Sequence, residues 1–183
     1  MRTRQLLLLL AVVAALVLTG CGDSADPASP PRASPTSTSS PSVSAAPSLP
    51  PAAAAHTKAG AIAFVRHYIA LINYSQATGD VTALDRVEAT NCSSCRSVRK
   101  QLTKMYRAGG WIRGGQLQVV KVQALRGATT GSFNVDVAVR SRPERVREAD
   151  GQMHRIPGGG NIITVIVHPR NSGWVVFQWT RAK

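Results

Sequence analysis

The apolar side chains of this 183-residue chain change their spacing once, at about Trp111, and that change points to a two-part fold. Between Ala59 and Ala77, Ala61, Ile62, Phe64, Val65, Tyr68, Ile69, Leu71 and Ile72 leave Arg66, His67 and Asn73 as strongly polar interruptions. A helix that apolar on most sides has to be covered on most sides. Gly79-Asp80 ends it, a short helix from Thr82 to about Val87 follows, and Asn91 is placed to cap a third helix from about Ser93 to Arg107, stopped by Gly109-Gly110. Beyond Trp111 the period is two, with Gln116–Leu125, Ser132–Arg140, Asn161–His168 and Trp174–Thr180 as strand candidates; Phe133, Val135, Val137 and Val139 share one face. The separators are turn-like, and the charged stretch Pro143–Gly151 is read as a hairpin arm. Three N-terminal helices packed on a curved antiparallel sheet of four or more strands make an α+β fold, the concave face of the sheet lying on the long first helix.

Residues 56–183 are the part expected to hold that core, because residues 22–55 contain 9 Ser, 9 Ala, 8 Pro and 2 Thr, and Val43 and Leu49 are their sizeable apolar side chains. Such a segment buries too little to fold and is expected to be a disordered tether with polyproline character. Ahead of it stand Arg2 and Arg4, the 13-residue apolar run Leu6–Leu18, and Leu18-Thr19-Gly20-Cys21. The run is shorter than the about 20 residues a spanning helix needs, and has the layout of an export signal. Leu18–Cys21 resembles a lipobox, the cleavage and lipidation site of a bacterial lipoprotein. The resemblance implies that Cys21 becomes the first mature residue, carries the acyl chains, and anchors the protein on the outer face of the cell membrane. Lipidation of Cys21 leaves Cys92 and Cys95 to each other, and in an oxidising compartment that pair is expected to be a disulfide.

Asn73-Tyr74, Ala77-Thr78-Gly79-Asp80, Cys92-Ser93-Ser94-Cys95, Tyr106, Gly109-Gly110 and Gly114-Gly115 together resemble a family of actinobacterial lipoproteins of unknown function, over about Ala59 to Val119. The order of elements is similar to the cone of the nuclear transport factor 2 superfamily, also grouped as cystatin-like. The resemblance implies a fold and a location but no activity, since similar cones serve as enzymes, scaffolds and docking modules.

No catalytic constellation stands out. Cys92 and Cys95 lie near a helix start, where a thiol pKa falls, but no thioredoxin-like strand precedes them, so a structural staple is expected rather than redox chemistry. His56, His67, His154 and His168 are scattered, with no ligand spacing to suggest a metal; no cofactor is expected. Asp136 falls on the face opposite Val135 and Val137. Asp80 and Asp85 read as turn and helix-end residues, and Glu144, Glu148 and Asp150 as a solvated arm among Arg142, Arg145 and Arg147. If the cone holds a cavity, Tyr68 and Asn73 are its polar candidates. Trp174 and Trp179 alternate onto opposite faces, so at most one points inward.

Charge is the strongest remaining signal: residues 56–183 carry 19 Lys and Arg against 7 Asp and Glu, a net +12. Such a domain attracts anions. Arg96, Arg99, Lys100, Lys104 and Arg107 form a stripe on the third helix, to be read either as a solvated face or as an anion site. Nucleic acid is not an expected partner outside the cytoplasm; anionic wall polymers, lipid headgroups and acidic envelope proteins are. A non-enzymatic binding or interaction module is therefore expected, with a small-molecule binder or degenerate enzyme as the alternative.

Overall fold

A computed structural model describes residues 45–181. The expected export signal, the expected lipidation site Cys21 and the expected tether as far as residue 44 lie outside the described residues. Among the described residues the architecture is α+β, with three α-helices, α1 (Lys58–Thr78), α2 (Thr82–Val87) and α3 (Ser93–Arg107), ahead of seven strands. Four of these, β2 (Leu117–Arg126), β3 (Phe133–Ser141), β6 (Gly159–Arg170) and β7 (Gly173–Arg181), form an antiparallel sheet in the order β2-β3-β6-β7. The other three, β1 (Trp111–Gly114), β4 (Glu144–Arg147) and β5 (Met153–Ile156), form a second antiparallel sheet in the order β1-β4-β5. The charged stretch that reads as an arm is thus strand β4 and its turn, and β1 and β5 are strands that alternation did not reveal because each is only four residues long.

Helix α1 begins where the Thr57 hydroxyl accepts from the Gly60 amide at 3.1 Å, and ends where Gly79, at φ 78°, donates back to the Ser75 carbonyl. It is covered on several sides, by β1, β2, β3, α2 and a 3-10 turn at Pro51–Ala54. Phe64, Val65, Tyr68 and Ile69 of α1 meet Val135, Val137, Val165, Val167 and Val176 of the sheet in one core. Each such buried side chain contributes about 1.5–3 kcal/mol. That burial, and not any intrinsic helix preference, holds a helix containing five β-branched residues, Ile62, Val65, Ile69, Ile72 and Thr78.

Three expectations change. The tether does not run to residue 55: Ala53 is fully buried, Trp174 Nε1 donates to the Ala55 carbonyl at 3.2 Å, and His56 Nε2 lies 2.8 Å from the Gly173 carbonyl, so Pro51–Ala55 is part of the domain, packed beside β7. The cap of α3 is Cys92 rather than Asn91, its sulfur accepting from the Cys95 amide at 3.2 Å. Trp174 and Trp179 share the inner face, because the pairing Ile166↔Gln178 is followed by Val167↔Val176 and Phe177 is an extra residue in β7. A bulge of one residue reverses every side chain beyond it. A second bulge, at Val120, keeps Val119 and Val122 both inward and turns Lys121 out.

Candidate functional site

A cavity of about 200 Å³ opens between the helices and the large sheet. Its apolar wall includes Ile72, Leu84, Val98, Ile163 and Trp179, and its polar groups are Tyr68, Gln76, Glu88, Ser141, Asn161 and Arg181. Glu88 is brought there by the short extension after α2, where the Ala89 amide donates to the Val176 carbonyl at 2.8 Å and Glu88 bridges Val176 in parallel. Its carboxylate is buried, accepts from the Tyr68 hydroxyl at 2.7 Å through Oε1, and lies with Oε2 2.7 Å from Arg99 Nε. Arg99 also pairs with Asp85.

Burial pushes the Glu88 carboxyl up to about 7. The Tyr68 hydrogen bond and the adjacent guanidinium both favour the charged form, yet desolvation is the larger effect. Burial, reinforced by the Glu88 charge, raises the Tyr68 hydroxyl well above its ordinary value, so Tyr68 stays a neutral donor. His67, buried on α1, is lowered by desolvation and is held neutral. Gln76 adds a buried amide oxygen that has no hydrogen-bond partner among the described residues.

Of the two cavity candidates, Tyr68 lines the cavity and Asn73 does not. Asn73 donates to the Leu117 carbonyl at 2.9 Å and accepts from the Leu117 amide at 2.8 Å, so its amide pairs with the start of β2 as a strand residue would. Glu88 was not singled out by the sequence, because it follows the last residue of α2 in extended backbone, where helical spacing says nothing of the direction of its side chain.

The basic stripe is a groove. Arg96, Arg99, Lys100, Lys104 and Arg107 all line one open concavity of about 760 Å³ with Val81, Thr103 and Ala108. Arg96, Lys100, Lys104 and Arg107 are exposed, whereas Arg99 is half-buried and engaged by Asp85 and Glu88. Arg96 donates to the Thr90 carbonyl at 2.7 Å, which fixes its position without neutralising it. Arg99 therefore forms part of the groove floor and also touches the carboxylate that lines the interior cavity.

Cys92 and Cys95 are joined as a disulfide, and Cys95 Sγ lies 3.9 Å from the Tyr68 hydroxyl. Asp136 is on the outer face of β3, where it accepts from Thr164 at 2.7 Å. Asp80 accepts from the Thr82 amide at the start of α2, and its hydrogen bonds with Thr82 hold its carboxyl below the usual range. The histidines remain apart: His56 packs edge-on against Trp174, His168 stacks on Phe177, and His154 is exposed on β5. Among the described residues no three His, Cys, Asp or Glu side chains come together as metal ligands, and no helix is long and apolar enough to cross a membrane. Residues 32–176 match a family of unknown function (DUF6318). No curated protein matches the chain.

Proposed function

We propose a function for a chain that belongs to a family of unknown function (DUF6318): it is a lipid-anchored, extracytoplasmic binding protein that presents the basic groove of α3 to anionic components of the cell envelope. The observation that carries this reading is the convergence of Arg96, Lys100, Lys104 and Arg107, all exposed, on one groove with no acidic lining residue. The anchor at Cys21 and the Ser/Pro/Ala-rich tether belong to the same reading, which holds the domain at the membrane while letting it reach wall polymers, headgroups or an acidic protein face. The element order supports a nuclear transport factor 2-like cone as the fold. The test is co-sedimentation of the chain with isolated envelopes. Reversal of Lys100 and Lys104 to Glu is expected to abolish binding that wild type loses progressively between 0.1 and 1 M salt, as the Debye length falls from about 10 to about 3 Å. Binding indifferent to both salt and the reversal sinks the proposal. Lys100 and Lys104 are chosen over Arg99 because Arg99 supports the interior carboxylate.

A second reading rests on the cavity, where Tyr68, Gln76, Glu88 and Trp179 line a partly open space. Its volume is below the about 300–1,000 Å³ of sites for drug-sized ligands, so its occupant is a compact molecule with hydrogen donors for Glu88 and Gln76. A fragment that shifts Trp179 fluorescence in wild type and not in Glu88→Gln supports a binder of this kind, and a screen in which no fragment does so removes it.

A further inference from the structure

The small sheet carries a feature that the helical groove does not explain. In its register Arg113 of β1 pairs with Arg145 of β4, and Arg145 pairs with Arg155 of β5, so three arginines lie side by side across three strands. Directly opposed residues on one face have Cβ atoms about 4.5–5.5 Å apart, and like charges so placed destabilise the sheet. None of the three has an ion-pair partner among the described residues, where the pairs formed are those of Arg99. All three are exposed and line one concavity of about 320 Å³ with Gly114, Pro143 and Glu144. The Glu144 carboxylate lies over the backbone of Gly115 and within ion-pair distance of none of them. Arg113 is held by stacking its guanidinium 4.3 Å above the Trp111 ring, a contact that orients the cation without cancelling its charge.

We propose that Arg113, Arg145 and Arg155 form an anion site, separate from the α3 groove, that takes a phosphate group carrying two or more negative charges. Guanidinium forks match phosphate oxygens in pairs, and an anion bridging the row turns mutual repulsion of the arginines into shared attraction. Arg145 is the centre of the site, since it alone has an arginine on each side.

The test uses the full chain, with Lys100→Ala/Lys104→Ala as the background that weakens the helical groove by two of its cations. Inorganic pyrophosphate is the soluble probe, and phosphatidic acid vesicles against phosphatidylcholine vesicles are the membrane probe. Pyrophosphate is expected to raise the melting temperature of the background protein, and Arg145→Thr to weaken its binding roughly tenfold or more. Without anion, Arg145→Thr is expected to melt higher than its parent, because the repulsion is gone and threonine suits a strand. Dependence on Arg145 for phosphatidic acid vesicles but not for pyrophosphate would assign the phosphate to a lipid headgroup and keep the site. Equal affinity of parent and Arg145→Thr for both probes overturns the proposal. Arg155→Ala at the sheet edge is the second variant, so that a folding defect at the central strand cannot imitate loss of the site. The test is independent of the α3 groove, because parent and Arg145→Thr share the same remaining groove and differ only at Arg145, which does not line it.

Discussion

Glu88 is the residue in which stability and chemistry meet. An ordinary glutamate titrates at about 4.5, and burial holds this one at about 7, so between those values the folded chain keeps a proton that the unfolded chain has released. Stability from this group is therefore present at the acid end and lost as pH rises through the window. His67 acts in the opposite sense, because its lowered value makes the unfolded chain take up the proton first as pH falls below 6.5. Glu88→Gln removes the first dependence and leaves the second. In urea unfolding the variant is expected to gain on wild type from about pH 4.5 to about pH 7 and to level off above it; a constant difference would mean that the Arg99 pair outweighs burial. The sequence gives little sign of Glu88, since a lone acid after a six-residue helix looks like any helix end. Tyr68 was legible as a cavity group because it sits within an apolar run, whereas the side chain of Asn73, in the same run, pairs with the backbone of Leu117 in β2.

At the scale of elements, two joints connect the helices. Gly79 closes α1 at φ 78°, and a Cβ there would clash with the Tyr106 ring of α3. Tyr106 in turn donates to the Gln76 carbonyl and accepts from the Ile112 amide, so one side chain ties α1, α3 and β1 together. Gly79→Ala meets the left-handed penalty of roughly 1–2 kcal/mol and displaces that tyrosine, so thermal unfolding is expected to show a loss above that figure; a neutral outcome would mean that the joint is soft. The Cys92–Cys95 disulfide is the other joint. Replacing both cysteines by serine is expected to remove about 2 kcal/mol, the chain entropy of so short a loop, and to raise amide exchange in the first turn of α3. If exchange rises evenly across the domain instead, the disulfide does not act locally. Helix bounds were legible here to within a residue or two because period and caps are local, but the bulges at Val120 and Phe177 were not. Alternation counts residues, and an extra residue in one strand is visible only against its partner.

On the scale of the whole molecule, the domain begins earlier than its composition suggests. A chain starting at His56 lacks the buried Ala53 and the acceptor for Trp174 Nε1, and is expected to unfold roughly 1–3 kcal/mol more easily than one starting at Ala45. Equal urea midpoints would return Pro51–Ala55 to the tether. The sequence by itself determined the elements: a long buried helix, two shorter ones, the strands of the large sheet, the basic stripe and the change of composition near residue 55, because periodicity, capping and charge spacing are read along a few consecutive residues. Only the tertiary structure decided which groups meet. Tyr68 reaches Glu88 across 20 residues, Asn73 reaches Leu117 across 44, and three arginines are aligned by the register of strands separated by turns and loops. Contacts of that kind depend on how faces pack and which residues pair between elements, and neither is contained in the local spacing of any one of them.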